Sequence, residues 1–259
     1  MSLITQKVAS IWMIFKMYTL EKPIEIVALQ LPFYERYQKN LDVLLHHLEE
    51  NKSKHIVLTP EVFLTGFDYE HLLTASKFSA NALKMLKKRV NEQIVVLTLV
   101  LEEGDAFVNQ AVVIYKHKIV HRQNKVKLFR LGDEDLYFRA GKMKKIRPFE
   151  IEGVKYAILI CFELRFKELW RQVEGADIVL IPSRWGKTRK SHLEILSRAL
   201  GVMNQCYVVV ANGADEDMAK ASAIINPFGK FVQDDKKEKI NAKIDFREIK
   251  KMRRYIVMD

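Results

Sequence analysis

The stretch YAILICFELRF, residues 156–166, changes character at one position. Its apolar first half ends at Cys161, and the charged residues Glu163 and Arg165 follow almost at once. A run that is apolar on both faces is typical of a strand in a sheet that other layers cover on both sides. This stretch therefore predicts a buried strand that stops at a cysteine, with a helix beginning directly after it.

Strands of the same kind alternate with amphipathic helices along the chain. Apolar runs predict strands at 24–31, 55–59, 94–100, 111–115, 156–161, 177–182, 207–212 and 222–226, a hairpin-like pair within 106–120 and a final strand at 240–245. One-sided apolar spacing predicts helices at 34–51, 79–92 and 192–205, and we expect the helix after Cys161 to occupy 165–174. This alternation is typical of an α/β protein.

The size of the chain suits one large domain. Of its 259 residues, 49% are hydrophobic and 29% are charged, a composition that provides a large core and argues against extensive disorder. Only short gaps separate the predicted elements, so we expect a single domain over residues 21–259. We interpret residues 1–20 as an N-terminal extension of undefined role, since its apolar run is too short to span a bilayer and no signal-peptide cleavage site follows it.

The cysteine content indicates a reducing compartment. The chain has two cysteines, Cys161 and Cys206, which are too few for a disulfide framework in a chain of this length. We therefore expect free thiols and a cytoplasmic location. Because Cys206 lies at the start of a predicted strand, we interpret it as a core residue.

The net charge of +11, from 43 basic and 32 acidic residues, raises the question of an anionic partner. The lysines and arginines are spread along the chain with only short clusters, and no nucleic-acid-binding motif accompanies them. This distribution favours solvated helix faces and loops over a binding surface. We expect neither nucleic acid nor a membrane as a partner.

Two further chemically active residues also follow predicted strands. Glu61 comes directly after the strand at 55–59 and Pro60, and Lys125 follows the hairpin-like pair. In α/β sheets, sites form beyond the carboxyl ends of strands. We therefore expect the carboxylate of Glu61, the ammonium of Lys125 and the thiol of Cys161 to converge in one site.

Such a trio has a coherent chemistry. A carboxylate within reach of a thiol can accept its proton and later activate water. We expect the helix start after Cys161 and the charge of Lys125 to favour the thiolate. A fixed ammonium together with a backbone N–H can hold the oxyanion of a tetrahedral intermediate. These groups suffice to cleave an amide or a nitrile through a thioester.

Four stretches in this order resemble motifs of the nitrilase superfamily of carbon–nitrogen hydrolases. PEVFLTGF (60–67) resembles its first glutamate motif, and KVKLF (125–129) is similar to its lysine motif, K-I-H-L-F. CFELRF (161–166) resembles its cysteine motif, C-Y-D-L-R-F-P, and the stretch 197–213 is similar to a further motif downstream. The similarity extends from about residue 24 to about residue 247.

The resemblance implies a fold and a set of roles. The fold would be a four-layer α-β-β-α sandwich, with no cofactor and no metal. Glu61 would be the general base, Lys125 the stabiliser of the oxyanion and Cys161 the nucleophile. Glu134 matches a second glutamate of many members, which would position Lys125 and the leaving group. Members usually form homodimers or larger homo-oligomers through the region after the cysteine and the C-terminal tail.

Departures from the family pattern concern the substrate pocket more than the chemistry. The aspartate of the cysteine motif is Glu163 here, and the 183–189 loop, SRWGKTR, differs from its usual form. From this loop and from the cysteine motif we expect substrate contacts by four residues, Phe162, Arg165, Arg184 and Trp185. Arg165 is expected either to bind a substrate carboxylate or to pair with an acidic neighbour.

These observations predict a cytoplasmic thiol amidohydrolase that acts on a small linear amide. The loop at 130–141 resembles those of the ω-amidase and deaminated-glutathione amidase branches. An N-carbamoyl amine hydrolase is the nearest alternative. Two other classes are a catalytically inactive scaffold protein of the same fold and a basic nucleic-acid-binding protein.

Overall fold

The computed structural model describes residues 23–258, which form twelve strands and six α-helices. The strands are β1 (Ile24–Leu29), β2 (Ile56–Leu58), β3 (Ile94–Glu103), β4 (Ala106–Tyr115), β5 (Lys118–Asn124), β6 (Phe149–Ile151), β7 (Val154–Ile158), β8 (Ile178–Pro182), β9 (Tyr207–Ala211), β10 (Ala223–Ile225), β11 (Phe231–Gln233) and β12 (Lys239–Ile244). The helices are α1 (Tyr37–Glu50), α2 (Leu72–Arg89), α3 (Glu134–Tyr137), α4 (Lys167–Gln172), α5 (Lys190–Met203) and α6 (Phe246–Tyr255). A 3₁₀ helix, Cys161–Arg165, lies between β7 and α4.

The strands form two six-stranded sheets of matching design. The first sheet has the order β12-β1-β2-β3-β4-β5 and the second has the order β11-β10-β9-β8-β7-β6. In each sheet the three central strands are parallel, β1-β2-β3 in the first and β7-β8-β9 in the second, and the flanking strands are antiparallel. The carboxyl ends of β2 and β7 therefore each lie in the parallel centre of a sheet, where α/β proteins place their sites.

The two sheets pack face to face, and helices cover their outer faces. One apolar cluster joins inward residues of both sheets, such as Ile56 and Val96 from the first and Ile158 and Val208 from the second. A separate cluster lies between the first sheet and the helices α1 and α2, where Leu44 and Leu86 are fully buried. On the second sheet, α5 buries Leu193 and Leu200. The predicted four-layer α-β-β-α sandwich is confirmed.

The predicted elements are found, with differences at their ends. Helix α2 begins at Leu72, whereas its spacing predicted a start at residue 79, because small residues such as Ala75 and Ser76 form the buried face of its first turns. The helix expected at 165–174 is shorter, Lys167–Gln172, because the 3₁₀ helix precedes it and Phe166 is extended. The three-residue strands β6 and β11 give too short a pattern to be predicted.

The N-terminal extension predicted at residues 1–20 lies outside the described residues. From residue 23 to residue 258, no helix combines the length and the apolar character that crossing a membrane requires.

Candidate active site

Three strand ends deliver the predicted carboxylate, ammonium and thiol to one place. Glu61 follows β2, Lys125 follows β5 of the same sheet, and Cys161 follows β7 of the opposite sheet. The Nζ of Lys125 donates a hydrogen bond to Oε1 of Glu61 at 2.8 Å. The charges of both groups act on the pKa of the Cys161 thiol. The expected convergence of the three residues is therefore present.

Glu134 completes the arrangement from the first residue of α3. Its Oε1 accepts a hydrogen bond from Nζ of Lys125 at 2.6 Å, and its Oε2 accepts one from the backbone N–H of Phe129 at 3.1 Å. Lys125 is 1% exposed, so the carboxylates of Glu61 and Glu134 replace water as the hydrogen-bond partners of its ammonium. An ammonium has three N–H donors, and one of them remains for a bound molecule.

Tyr69 holds the segment that carries Glu134. Its hydroxyl donates to the carbonyl of Gly132 at 2.7 Å, and its ring stacks on that of Tyr137 with the centroids 4.2 Å apart. These contacts lie on both sides of Glu134 in sequence. These contacts fix the position of residues 132–137, and with them Glu134, beside Lys125.

Asn109 of β4 is a member of the site that the sequence did not reveal. Its Nδ2 donates to Oε1 of Glu61 at 2.8 Å, and its carbonyl accepts from the backbone N–H of Lys125 at 2.8 Å. Oε1 of Glu61 thus accepts two hydrogen bonds, while the buried Oε2 has no partner within residues 23–258. One carboxylate oxygen is fixed and the other is available as a base. In the sequence, Asn109 is a polar residue within a largely apolar predicted strand, and this is the signal that could have identified it.

Cys161 lies in a narrow pocket between the 3₁₀ helix and the loop after β8. The backbone N–H of Arg184 donates to Sγ of Cys161 at 3.5 Å. The same loop is fixed against the glutamate, since the backbone N–H of Glu61 donates to the carbonyl of Ser183 at 3.2 Å. The lining consists of Cys161 with three aromatic and three basic residues: Phe129, Phe162, Trp185, Arg165, Arg184 and Arg189.

All four residues predicted to contact a substrate, Phe162, Arg165, Arg184 and Trp185, line this pocket. The two arginines among them differ in whether a carboxylate neutralises their charge. Arg184 forms an ion pair with Asp215 at 3.1 Å. Arg165 stacks on the ring of Trp185, 4.6 Å from its centroid, and donates to Nδ1 of His192 at 2.9 Å. Its expected alternative, an acidic neighbour, is absent within residues 23–258.

Arg189 was not predicted from the sequence. Its guanidinium lies 5.3 Å from the centroid of the Phe129 ring, and no carboxylate in the described part of the chain forms an ion pair with it. Arg165 and Arg189 therefore give the pocket two positive charges without acidic partners. An anionic group is the natural ligand for such a pair.

The backbone is strained at two points of the site. Cys161 has φ of 48° and Val62, next to Glu61, has φ of 42°, both in the left-handed region that L residues rarely adopt. Thr98 stabilises the second, because its Oγ1 accepts the N–H of Val62 at 2.6 Å. Strain of this kind costs about 1–3 kcal/mol per residue and is concentrated at functional sites.

The thiol of Cys161 is protonated at rest. Burial raises its pKa well above the ordinary value and the charge of Glu61 raises it further. Lys125 lowers the pKa, as expected from the sequence, and so does the N–H of Arg184, but together they lower it by less than the opposing causes raise it. The prediction of a thiolate-favouring environment is therefore wrong in its net direction, since it did not take into account how burial and the negative charge of Glu61 act on the pKa of the thiol. Deprotonation requires a base.

The two buried glutamates beside Lys125 and Cys161 hold protons more tightly than ordinary carboxyls. Burial raises the pKa of Glu134 to about 7, against the lowering effect of Lys125. Burial also raises the pKa of Glu163 to about 7, against the effect of the backbone N–H groups of Ile160 and Val126. Burial lowers the pKa of Lys125 itself, yet the charges of Glu61 and Glu134 and the hydrogen bond to Glu134 outweigh this effect and raise it. The lysine remains an ammonium.

The site has no ligand set for a metal. Within residues 23–258, no three histidine, cysteine or acidic side chains are grouped so that they could bind one.

Comparison with known proteins identifies relatives along nearly the whole chain. The family model for carbon-nitrogen hydrolase matches residues 26–254. A 2-oxoglutaramate amidase of Bacillus subtilis is 31% identical over 222 residues, which cover 80% of this chain and 85% of that protein. Omega-amidase YafV of Escherichia coli is 27% identical over 200 residues, covering 74% of this chain and 77% of that protein.

A solved structure has the same fold. Nit3 of Saccharomyces cerevisiae, described as a member of branch 10 of the nitrilase superfamily, superposes with a TM-score of 0.76. The match covers 92% of this chain and 96% of that one, at 22% sequence identity.

The raised pKa of Cys161 predicts how fast this thiol reacts with iodoacetamide. Because burial and the charge of Glu61 favour the protonated thiol, we expect the midpoint of the rate against pH to lie above about 8.5, the value of a free cysteine. Glu134→Gln removes a negative charge that raises the pKa, so its midpoint should be lower than that of the native protein. Mass spectrometry distinguishes Cys161 from the fully buried Cys206. A native midpoint below 8.5 would contradict the prediction.

Proposed function

The chain belongs to the carbon–nitrogen hydrolase family, and from this premise we propose that Cys161 is the nucleophile, Glu61 the general base and Lys125 the oxyanion stabiliser of an amidohydrolase. The predicted membership of the nitrilase superfamily and the predicted class, a hydrolase of carbon–nitrogen bonds other than peptide bonds, are confirmed. The assignment of roles to individual residues is our proposal.

One observation carries this proposal. Lys125 donates to Glu61 at 2.8 Å and to Glu134 at 2.6 Å and keeps one N–H free, while Oε2 of Glu61 accepts no hydrogen bond within residues 23–258. A free donor and a free basic oxygen on adjacent side chains, both acting on the pKa of one thiol, match the needs of thiol-dependent amide cleavage.

The reaction begins with attack on the amide. Oε2 of Glu61 accepts the thiol proton as the sulfur of Cys161 bonds to the carbonyl carbon. The carbonyl oxygen becomes an oxyanion, which the free N–H of Lys125 stabilises. Glu61 then gives its proton to the leaving nitrogen, the C–N bond breaks, and an amine or ammonia departs from a thioester on Cys161.

Water completes the cycle. Glu61 accepts a proton from water as the oxygen attacks the thioester carbon, and Lys125 again stabilises the oxyanion. The C–S bond breaks, the sulfur recovers its proton from Glu61, and the acid product leaves. Glu134 holds Lys125 in place throughout, through the 2.6 Å hydrogen bond to Nζ.

We propose an ω-amidase-like substrate, a small linear amide that carries a carboxylate at its other end. Arg165 and Arg189 line the pocket of Cys161 and have no carboxylate partner within residues 23–258, so that a substrate carboxylate can pair with them. The relative named 2-oxoglutaramate amidase supports an amide of this class. An N-carbamoyl amine and deaminated glutathione are the alternatives to be compared with it.

The nucleophile is tested by substitution. Cys161→Ala should reduce ammonia release from 2-oxoglutaramate by at least about 1,000-fold, because no thioester can form. Glu61→Gln should also lose turnover, since the side-chain amide of glutamine is not basic enough to accept the thiol proton. Cys206→Ala is the matched control, because Cys206 is buried in the core away from the pocket and its loss should leave turnover intact. An active Cys161→Ala protein would refute the assignment.

The role of the arginines is tested by comparing two substrates. Arg189→Leu should raise KM for 2-oxoglutaramate by about tenfold or more, because the substrate carboxylate loses a charge-assisted hydrogen bond. KM for the neutral propionamide should be nearly unchanged. Arg171→Leu, on the surface of α4, removes the same charge outside the pocket and serves as the control. An equal effect of Arg189→Leu on both substrates would remove the carboxylate from the proposal.

We also propose that the protein is a homodimer of the cytoplasm that binds neither nucleic acid nor membranes. The two free, buried cysteines support a reducing location. An apolar surface supports a protein contact, since Ile195, Val202 and Met203 of α5 are exposed. Phe231 of the edge strand β11 is exposed as well, and Arg198 of α5 lies 4.8 Å from the centroid of its ring.

The dimer is tested by mass in solution. Analytical ultracentrifugation should find about twice the chain mass of 30.3 kDa for the native protein and the single-chain mass for Ile195→Glu. Leu73 on α2 is also an exposed aliphatic residue, at 49% against 64% for Ile195, and the Leu73→Glu variant should remain dimeric. A native protein of single-chain mass would refute the homodimer.

A further inference from the structure

Glu163 is a buried carboxylate that the proposed reaction does not use. It is 0% exposed, and within residues 23–258 no basic side chain forms an ion pair with it. It does not line the pocket of Cys161. Burying an unpaired carboxylate costs stability, so the position requires an explanation in terms of what its oxygens hold.

Its two oxygens hold the two segments that carry the reacting groups. Oε1 accepts the backbone N–H of Val126 at 2.5 Å, and Val126 directly follows Lys125. Oε2 accepts the backbone N–H of Ile160 at 2.7 Å, and Ile160 directly precedes Cys161. One side chain therefore contacts the neighbour of the ammonium and the neighbour of the thiol.

This bridge joins elements that no strand pairing joins. Lys125 follows β5, the edge strand of the first sheet, and Cys161 follows β7 of the second sheet. Apolar packing and a buried hydrogen bond from Nε2 of Gln123 in β5 to the carbonyl of Ile158 in β7, at 3.1 Å, also join the two sheets here. Glu163 differs from these contacts because its two oxygens hold the N–H groups directly beside Lys125 and Cys161, which fixes their separation.

We propose that Glu163 is a positioning residue that sets the distance between the ammonium of Lys125 and the sulfur of Cys161 for the proposed reaction. It acts through the backbone and does not touch the substrate. The superfamily motif that this chain resembles has an aspartate here, and the longer glutamate fits the separation of the two N–H groups in this protein.

The proposal predicts a loss of rate without a loss of binding. Glu163→Gln keeps the size of the side chain but presents an NH₂ group to one of the two N–H donors, so one hydrogen bond is lost. Because a displacement of 1 Å in a catalytic group can cost about 100-fold in rate, kcat should fall at least about tenfold. KM should change by less than about twofold, since the pocket lining is intact. Glu163→Asp retains both acceptor oxygens and should give an intermediate kcat.

A matched control separates positioning from stability. Asp177 accepts a hydrogen bond from the backbone N–H of Lys155 and forms an ion pair with Arg253. It directly precedes β8, so it lies at the opposite end of the strands from the site. Asp177→Asn should lower the thermal midpoint while keeping kcat. The proposal is overturned if Glu163→Gln and Asp177→Asn lower the thermal midpoint to a similar extent and Glu163→Gln loses no more kcat than Asp177→Asn. It is also overturned if KM of Glu163→Gln rises by the same factor as its kcat falls.

A second readout is independent of the proposed function on which this inference rests. Lys125 lowers the pKa of Cys161, so a variant that moves the two apart should raise the pH midpoint of Cys161 alkylation by iodoacetamide. Glu163→Asp keeps the acidic group, but its side chain is one methylene too short to reach both N–H groups at once, so the two segments should separate and the midpoint should rise. An unchanged midpoint would refute the positioning role. A native protein that cleaves no amide would refute the proposed function and leave this measurement decisive for Glu163.

Discussion

A single ammonium held between two carboxylates, away from water, sets the conditions for the whole site. Removing Lys125, Glu61 and Glu134 from water is costly, and the cost is offset only while hydrogen bonds of 2.6 and 2.8 Å are kept. The scaffold must therefore be rigid at this point. The parallel centre of the first sheet, the hydrogen bonds of Asn109 and the contacts of Tyr69 all serve this requirement.

Burial together with the charges of this cluster determines the resting state of Cys161. Burial is the largest cause of the raised pKa of the Cys161 thiol, and the negative charges of Glu61 and Glu134 raise it further against the lowering effect of Lys125. A protonated thiol reacts slowly with general electrophiles and oxidants. Reactivity is then confined to a molecule that reaches both Cys161 and the free N–H of Lys125, so the electrostatics of the site favour selectivity over general nucleophilicity.

Much of the fold and the site could be predicted from the sequence, because both depend on local patterns. Buried strands with a reactive residue at their carboxyl ends identified Glu61, Lys125 and Cys161, and the order of motifs indicated the sandwich. Asn109 and Arg189 could not be predicted in this way, since their importance comes from contacts across strands and loops. The net direction of the Cys161 pKa depends on burial, which the sequence does not give for a strand end.

The course of the chain through the first sheet has a consequence for biosynthesis. Strand β1 lies between β2, which is the next strand along the chain, and β12, which comes from residues 239–244. While the ribosome is still translating, β1 has an unpaired edge, and the sheet that carries Glu61 and Lys125 lacks its last strand. A nascent chain can therefore form wrong pairings at this edge until residues 239–244 have been synthesised, and a chain without these residues leaves the edge of β1 exposed.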